Sequence, residues 1–142
     1  MGSMKYVMTL LAFAVAATTL SGQSAPANPL MGAWKVDGAQ AGLYIFTKQH
    51  YSFSRVQGEP LPDYPSNDKA TDAQKVAVFN TLYLNAGTYT VTGNMLATKA
   101  MMAKSKFAIG GNGNQYELAI SGNALTLTQK PSGAVLKLTR LE

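Results

Sequence analysis

From residue 28 onward, apolar and polar residues alternate with a period of two in short runs, and turn-forming residues break the runs at regular spacing. This pattern predicts strands near 33–37, 42–47, 50–56, 87–92, 95–102, 115–121, 124–129 and 134–141. One segment departs from it. Between Thr71 and Tyr83, the positions Ala73, Val76, Ala77 and Tyr83 fall at helical spacing, with Thr71 or Asp72 available to cap the first turn. The stretch before it, Gln57 to Asn67, carries Pro60, Pro62 and Pro65 and is predicted as a loop, because proline cannot donate to a central ladder. The expected fold is all-β: about eight antiparallel strands in an up-and-down barrel, with one helix inserted between the third and fourth strands.

The connections sort by length. Gly93-Asn94 and Gly122-Asn123 suit two-residue hairpin turns that need positive φ, and Lys48-Gln49 is a third short joint. The longer connections are 37–41, the proline-rich loop with its helix, the glycine-rich 103–114, and 130–133. In a meander, successive joints alternate between the two ends, so every long connection gathers at one mouth and every tight turn at the floor. The first strand then starts at the floor and the last one finishes there. That brings Trp34 beside Arg140, a cation–π contact of roughly 0.5 to 2 kcal/mol.

Gly32-Ala33-Trp34 on the first strand, answered by Arg140 on the last, resembles the closure of lipocalin-like, calycin-type barrels. Phe46-Thr47-Lys48-Gln49-His50-Tyr51-Ser52 and the closing Leu138-Thr139-Arg140-Leu141 are similar to small bacterial lipocalin-like proteins of uncharacterised function. The resemblance covers Gly32 to Glu142 and implies that Gly32, Trp34 and Arg140 are structural closure residues. A helix between strands three and four departs from most lipocalins, where the helix follows the barrel.

Residues paired across a two-residue hairpin share a face. Taking the bulkier face as interior puts Trp34, Phe46, Tyr51, Val91, Leu96, Ile120, Leu125, Leu138 and Arg140 at the floor. Toward the mouth come Val36, Tyr44, Phe53, Arg55, Tyr89, Thr98, Met102, Tyr116, Gln129 and Leu136. The floor reads as a core, whereas the upper cup carries hydroxyls and one charge. A buried hydroxyl left unpartnered costs about 1 to 3 kcal/mol, so these groups bond to loops, to water or to a ligand.

Three readings follow. In the first, the cup binds a small amphipathic molecule, Arg55 meeting an anionic head while Phe53 and Met102 hold the tail. In the second, a cofactor-free isomerase or cyclase uses Tyr44, Tyr89 or Tyr116 as proton donor and Arg55 to stabilise an enolate-like anion, with Tyr44, Arg55 and Tyr116 the catalytic candidates. In the third, an envelope protein with a filled barrel acts through its outer surface, Arg55 pairing with Glu59 or Asp63.

Composition narrows the chemistry. His50 is the one histidine, expected outside the barrel beside a floor turn, and cysteine is absent, so no conventional zinc site can be assembled. No Gly-x-Ser-x-Gly elbow occurs, and no pair of carboxylates is expected inside, since Glu117 alternates outward. Gly110 to Asn114 lacks the Lys-Ser/Thr of a phosphate loop and reads as a flexible lid. Neither metal nor cofactor is expected.

At the N-terminus, residues 1–3 read as a cloning scar and residues 4–27 as a secretory signal peptide. It has Lys5, an apolar run from Tyr6 to Leu20 and then small residues, and the run is shorter than the roughly 20 residues a spanning helix needs. The barrel domain is 28–142, exported to the periplasm or the exterior of a bacterium, with no stable membrane insertion after cleavage. Gln23 stands where a lipoprotein signal needs cysteine. The formal charge of +5 falls to +4 without Lys5. Lys99, Lys104 and Lys106 form the one basic cluster, too sparse for nucleic acid, and they imply a weak attraction to anionic ligands or surfaces.

Overall fold

A computed structural model describes residues 28–61, 63, 64, 66, 68–111 and 113–142. The expected scar (1–3) and signal peptide (4–27) lie outside the described residues. The strands are β1 (Gly32–Val36), β2 (Gly42–Phe46), β3 (His50–Val56), β4 (Leu82–Thr92), β5 (Met95–Ala103), β6 (Gln115–Ser121), β7 (Ala124–Lys130) and β8 (Val135–Arg140). The helix α1 (Asp72–Thr81) stands between β3 and β4, and one 3₁₀ turn (Lys106–Ala108) follows β5. Each strand pairs antiparallel with the next, and β1 pairs with β8, so the sheet closes into an eight-stranded up-and-down barrel.

The closure sits where the turn lengths place it. Trp34 lies opposite Arg140, whose guanidinium carbon is 4.0 Å from the indole centroid. Trp34 is fully buried, and its Nε1 donates to the Leu30 carbonyl at 2.8 Å. Arg140 donates to the carbonyls of Met31 and Pro29, so both of its terminal nitrogens are engaged. Gly32 holds φ at +124°, and a Cβ there would lie 2.2 Å from the Glu142 carbonyl oxygen, because the chain end crosses directly over it. The segment before β1 completes the floor: Leu30 inserts into the core among Trp34, Phe46, Leu96, Leu125 and Leu138, a plug the strand pattern alone does not predict. Each such side chain contributes roughly 1.5–3 kcal/mol of burial.

Three departures from expectation have local causes. The fourth strand begins at Leu82 rather than near 87, directly where α1 ends, because Leu82 to Thr88 pair with β3 along its whole length. β4 passes the β2–β3 turn at Tyr89, whose amide donates to the Gln49 carbonyl, so the strand's last residues project beyond the barrel and Val91, expected in the floor core, is 41% exposed. On β5, Met101 is an extra residue opposite Ala86 and Gly87, a bulge that reverses the alternation and turns Met102 outward instead of into the cup.

Of the two caps the sequence offers, Thr71 takes the position, and Gln74 completes a capping box with it. Its other end is capped by Lys104, whose Nζ donates to the carbonyls of Phe79 (2.5 Å) and Leu82 (2.7 Å) and lies over the Phe79 ring. Its apolar residues Val76 and Phe79 are exposed, and only Thr81 is buried. β5 and β6 share only three paired positions, Met95–Ala97 against Glu117–Gln115. Above them the lid connection takes over the wall, with the Thr98 amide donating to the Asn114 carbonyl.

Candidate functional site

At the mouth, β2, β3, β4, β6 and β7 turn polar side chains inward above the packed core. Tyr44, Arg55, Tyr83, Tyr116 and Gln129, with Gln57 at the rim, line a cavity of about 300 Å³ walled by Leu127 and Leu136. Its floor is aromatic: Tyr44 stacks on Phe53 with centroids 3.9 Å apart and planes 10° apart, and Phe53 is in turn buried against Phe46, Tyr51 and Tyr116.

Arg55 is the charge of this cavity. Its guanidinium lies 5.2 Å from the Tyr83 centroid, and its Nε is buried without a hydrogen-bond partner. The expected alternative, a pair with Glu59 or Asp63, is not formed; among the described residues the one ion pair is Lys130–Glu117, on the outer surface. Burial pushes the Tyr44 hydroxyl up to about 12, partly offset by the Arg55 charge beside it. Tyr116 is pushed up further, by burial first and then by its phenolic neighbours Tyr83 and Tyr44. Both therefore keep their protons and present hydrogen-bond donors to the space they line.

A second cavity, of about 370 Å³, opens where β5 and β6 part. Tyr51, Asn85, Thr98 and Ala100 line it from the barrel, and Phe107, Ala108, Gly111 and Gly113 from the lid. The Tyr51 hydroxyl donates to Asn85 Oδ1. Asn114 borders both cavities and ties the lid to them: its Nδ2 donates to the Tyr83 hydroxyl at 3.3 Å, its Oδ1 accepts from Gln129, and its main chain exchanges bonds with the Thr98 hydroxyl. Gly113 makes this approach possible. Its φ is +69°, and any Cβ would lie 1.5 Å from the Thr98 carbonyl oxygen.

Of the residues expected to line the cup, Tyr44, Arg55, Tyr116 and Gln129 share the first cavity and Thr98 borders the second. Phe53 forms the packed layer beneath and is closed to solvent. Tyr89 belongs to the floor rather than the mouth, its hydroxyl donating to the Thr47 carbonyl at 2.6 Å and accepting from Asn28 at 2.7 Å. Met102 is 60% exposed on the outer wall. Tyr83, Asn85 and Asn114 belong to the cup but escape sequence reasoning. Extending the β4 alternation back from Tyr89 through Gly87 would have put Asn85 and Tyr83 on its inner face. Compared with known proteins, the chain matches no protein-family model, no curated protein and no solved structure.

Proposed function

We propose that this is an exported, lipocalin-like bacterial protein whose cup binds a small amphipathic molecule with an anionic head. The observation that carries the reading is Arg55, a cation inside a cavity with a buried, unpartnered Nε and, among the described residues, no carboxylate paired to it. A half-buried charge of this kind is stabilised by a counter-charge, and a ligand carboxylate or similar anion supplies one. The protonated hydroxyls of Tyr44 and Tyr116 add donors to the same anion. The adjoining chamber at Ala100 and Ala108 offers an apolar body more room than the expected Phe53 and Met102 do. About 300 Å³ beside Arg55 is at the lower end of small-molecule sites, so the ligand is small.

Binding is favoured over the isomerase or cyclase reading by the same phenols. A tyrosine whose ionisation is pushed to about 12 holds its proton and is a poorer acid than a free one. The calycin-type assignment rests on Gly32, Trp34 and Arg140, and the export assignment on the leader sequence.

Octanoate and 1-octanol make a matched pair of probes that differ mainly in charge. Calorimetric titration is expected to show octanoate binding preferentially, with Arg55→Met removing at least about tenfold of its affinity and erasing the preference. Equal affinity for the two probes, no octanoate binding, or octanoate binding that survives Arg55→Met would overturn the proposal.

A further inference from the structure

The outer wall beside the lid combines two properties. From Ala73 through Tyr116 the chain contains no aspartate or glutamate, yet it carries Lys75, Lys99, Lys104 and Lys106. This stretch comprises nearly all of α1, the strands β4 and β5, and the lid, so that side of the molecule is rich in lysine, with Glu117 at its β6 border and Asp72 at the start of α1. The same side presents large apolar side chains to solvent: Phe107 is 96% exposed on its 3₁₀ turn, Met101 and Met102 stand out at the β5 bulge, and Phe79 with Val76 lies on α1. Lys104 links the groups physically, following Met102 and Ala103 in the chain and sitting 4.6 Å from the Phe79 centroid.

We infer that this lid-side wall docks on an anionic phospholipid bilayer surface. Met101, Met102 and Phe107 stand out at 60% exposure or more, which suits insertion into the headgroup layer. Lysines flanking protruding apolar residues on a face with acidic groups only at its borders give the charge complementarity that an anionic leaflet recognises, each worth about a fivefold gain in affinity near such a surface. The bulge serves this role too: by adding one residue it turns two consecutive methionines outward, where strict alternation would have buried one of them. Docking in this orientation sets the lid, and the second cavity beneath it, against the membrane. Phe107 also borders the second cavity, and the inference does not depend on what the first cavity, beside Arg55, holds.

Co-sedimentation of the folded protein with vesicles tests it. Vesicles of equimolar phosphatidylglycerol and phosphatidylcholine are expected to carry the protein down, and phosphatidylcholine alone is not. Added salt should weaken the association, because it screens the lysines. Phe107→Ser is expected to lower vesicle affinity about tenfold, the loss of one inserted aromatic side chain, and Lys99→Glu with Lys106→Glu to abolish it. Both variants alter exposed positions, and an unchanged near-ultraviolet circular dichroism spectrum confirms that they fold. Arg55→Met should bind the vesicles like the unaltered protein, which separates this test from that of the cup. Equal binding to neutral vesicles, no binding to anionic ones, or binding unaffected by Phe107→Ser would overturn the inference; failure on anionic vesicles would assign the patch to a protein partner.

Discussion

The barrel places an arginine at each pole, both over an aromatic ring, and treats them differently. At the floor, Arg140 lies 4.0 Å from the Trp34 centroid and spends its terminal nitrogens on two main-chain carbonyls. At the mouth, Arg55 lies 5.2 Å from Tyr83 and leaves its Nε buried and unpartnered. The floor is thus a finished structure, with its indole answered by Leu30 and its Tyr89 hydroxyl by Thr47 and Asn28. The mouth holds tyrosines, amides and a cation around open space. Stability is concentrated at one pole, and unsatisfied bonding capacity at the other, where a ligand can use it.

The largest expected effect that tests this division is alkaline destabilisation through the mouth. The folded value of Tyr44, about 12, lies above the ordinary 10.0, so folding favours the protonated phenol. Its contribution is complete below pH 10 and is lost as pH rises through 12, because the unfolded chain releases the proton first. Two pH units correspond to roughly 3 kcal/mol, and Tyr116 adds to the loss in the same direction. Urea denaturation followed across this range should show stability falling steeply in the unaltered protein and less steeply in Tyr44→Phe. A flat profile, or one that Tyr44→Phe leaves unchanged, would mean that the mouth tyrosines are effectively solvated.

Next in size is the floor arginine. Arg140→Ala removes the cation–π contact and two charge-assisted hydrogen bonds to main-chain carbonyls, and should cost about 2 kcal/mol in the urea midpoint analysis. Arg140→Lys restores the charge but not the two-pronged donor, so it should recover only part of that loss. A cost below about 0.5 kcal/mol for Arg140→Ala would show that β1 and β8 are held by their ladder alone.

Much of this division is legible in the sequence. Alternation and turn length suffice to predict the eight strands, the helix position and the gathering of long connections over one mouth, because each depends on local patterns of two to five residues. Trp34 and Arg140 follow from that arithmetic. The misplaced residues share a different origin. Met102 depends on one extra residue at Met101, and the alternation by itself cannot announce a bulge. Tyr89 depends on how far β4 slides past Gln49, which is set by β3–β4 pairing across a long connection with no turn to fix its register. Asn114 lies in a glycine-rich lid whose path is decided by close approach to Thr98 rather than by any period. Contacts within hairpins are written locally, and contacts across long connections are not. The cup is built mostly from the latter.

The smallest expected effect is the most discriminating. Arg55→Met keeps the length and most of the volume of the side chain and removes a buried donor that has no partner. Had Arg55 been a structural residue like Arg140, its removal would cost the fold a similar amount. Among the described residues none accepts from its Nε and no carboxylate pairs with its charge, so what the substitution loses in the Tyr83 and Tyr44 contacts is offset by relief from desolvation. Stability should therefore change by no more than about 0.5 kcal/mol in either direction, well inside the range of surface substitutions. Denaturation in the absence and presence of octanoate separates the two roles: octanoate should raise the midpoint of the unaltered protein by mass action and leave that of Arg55→Met where it was. A substitution that destabilises the empty barrel as much as Arg140→Ala does would erase the difference between the poles and return Arg55 to the framework.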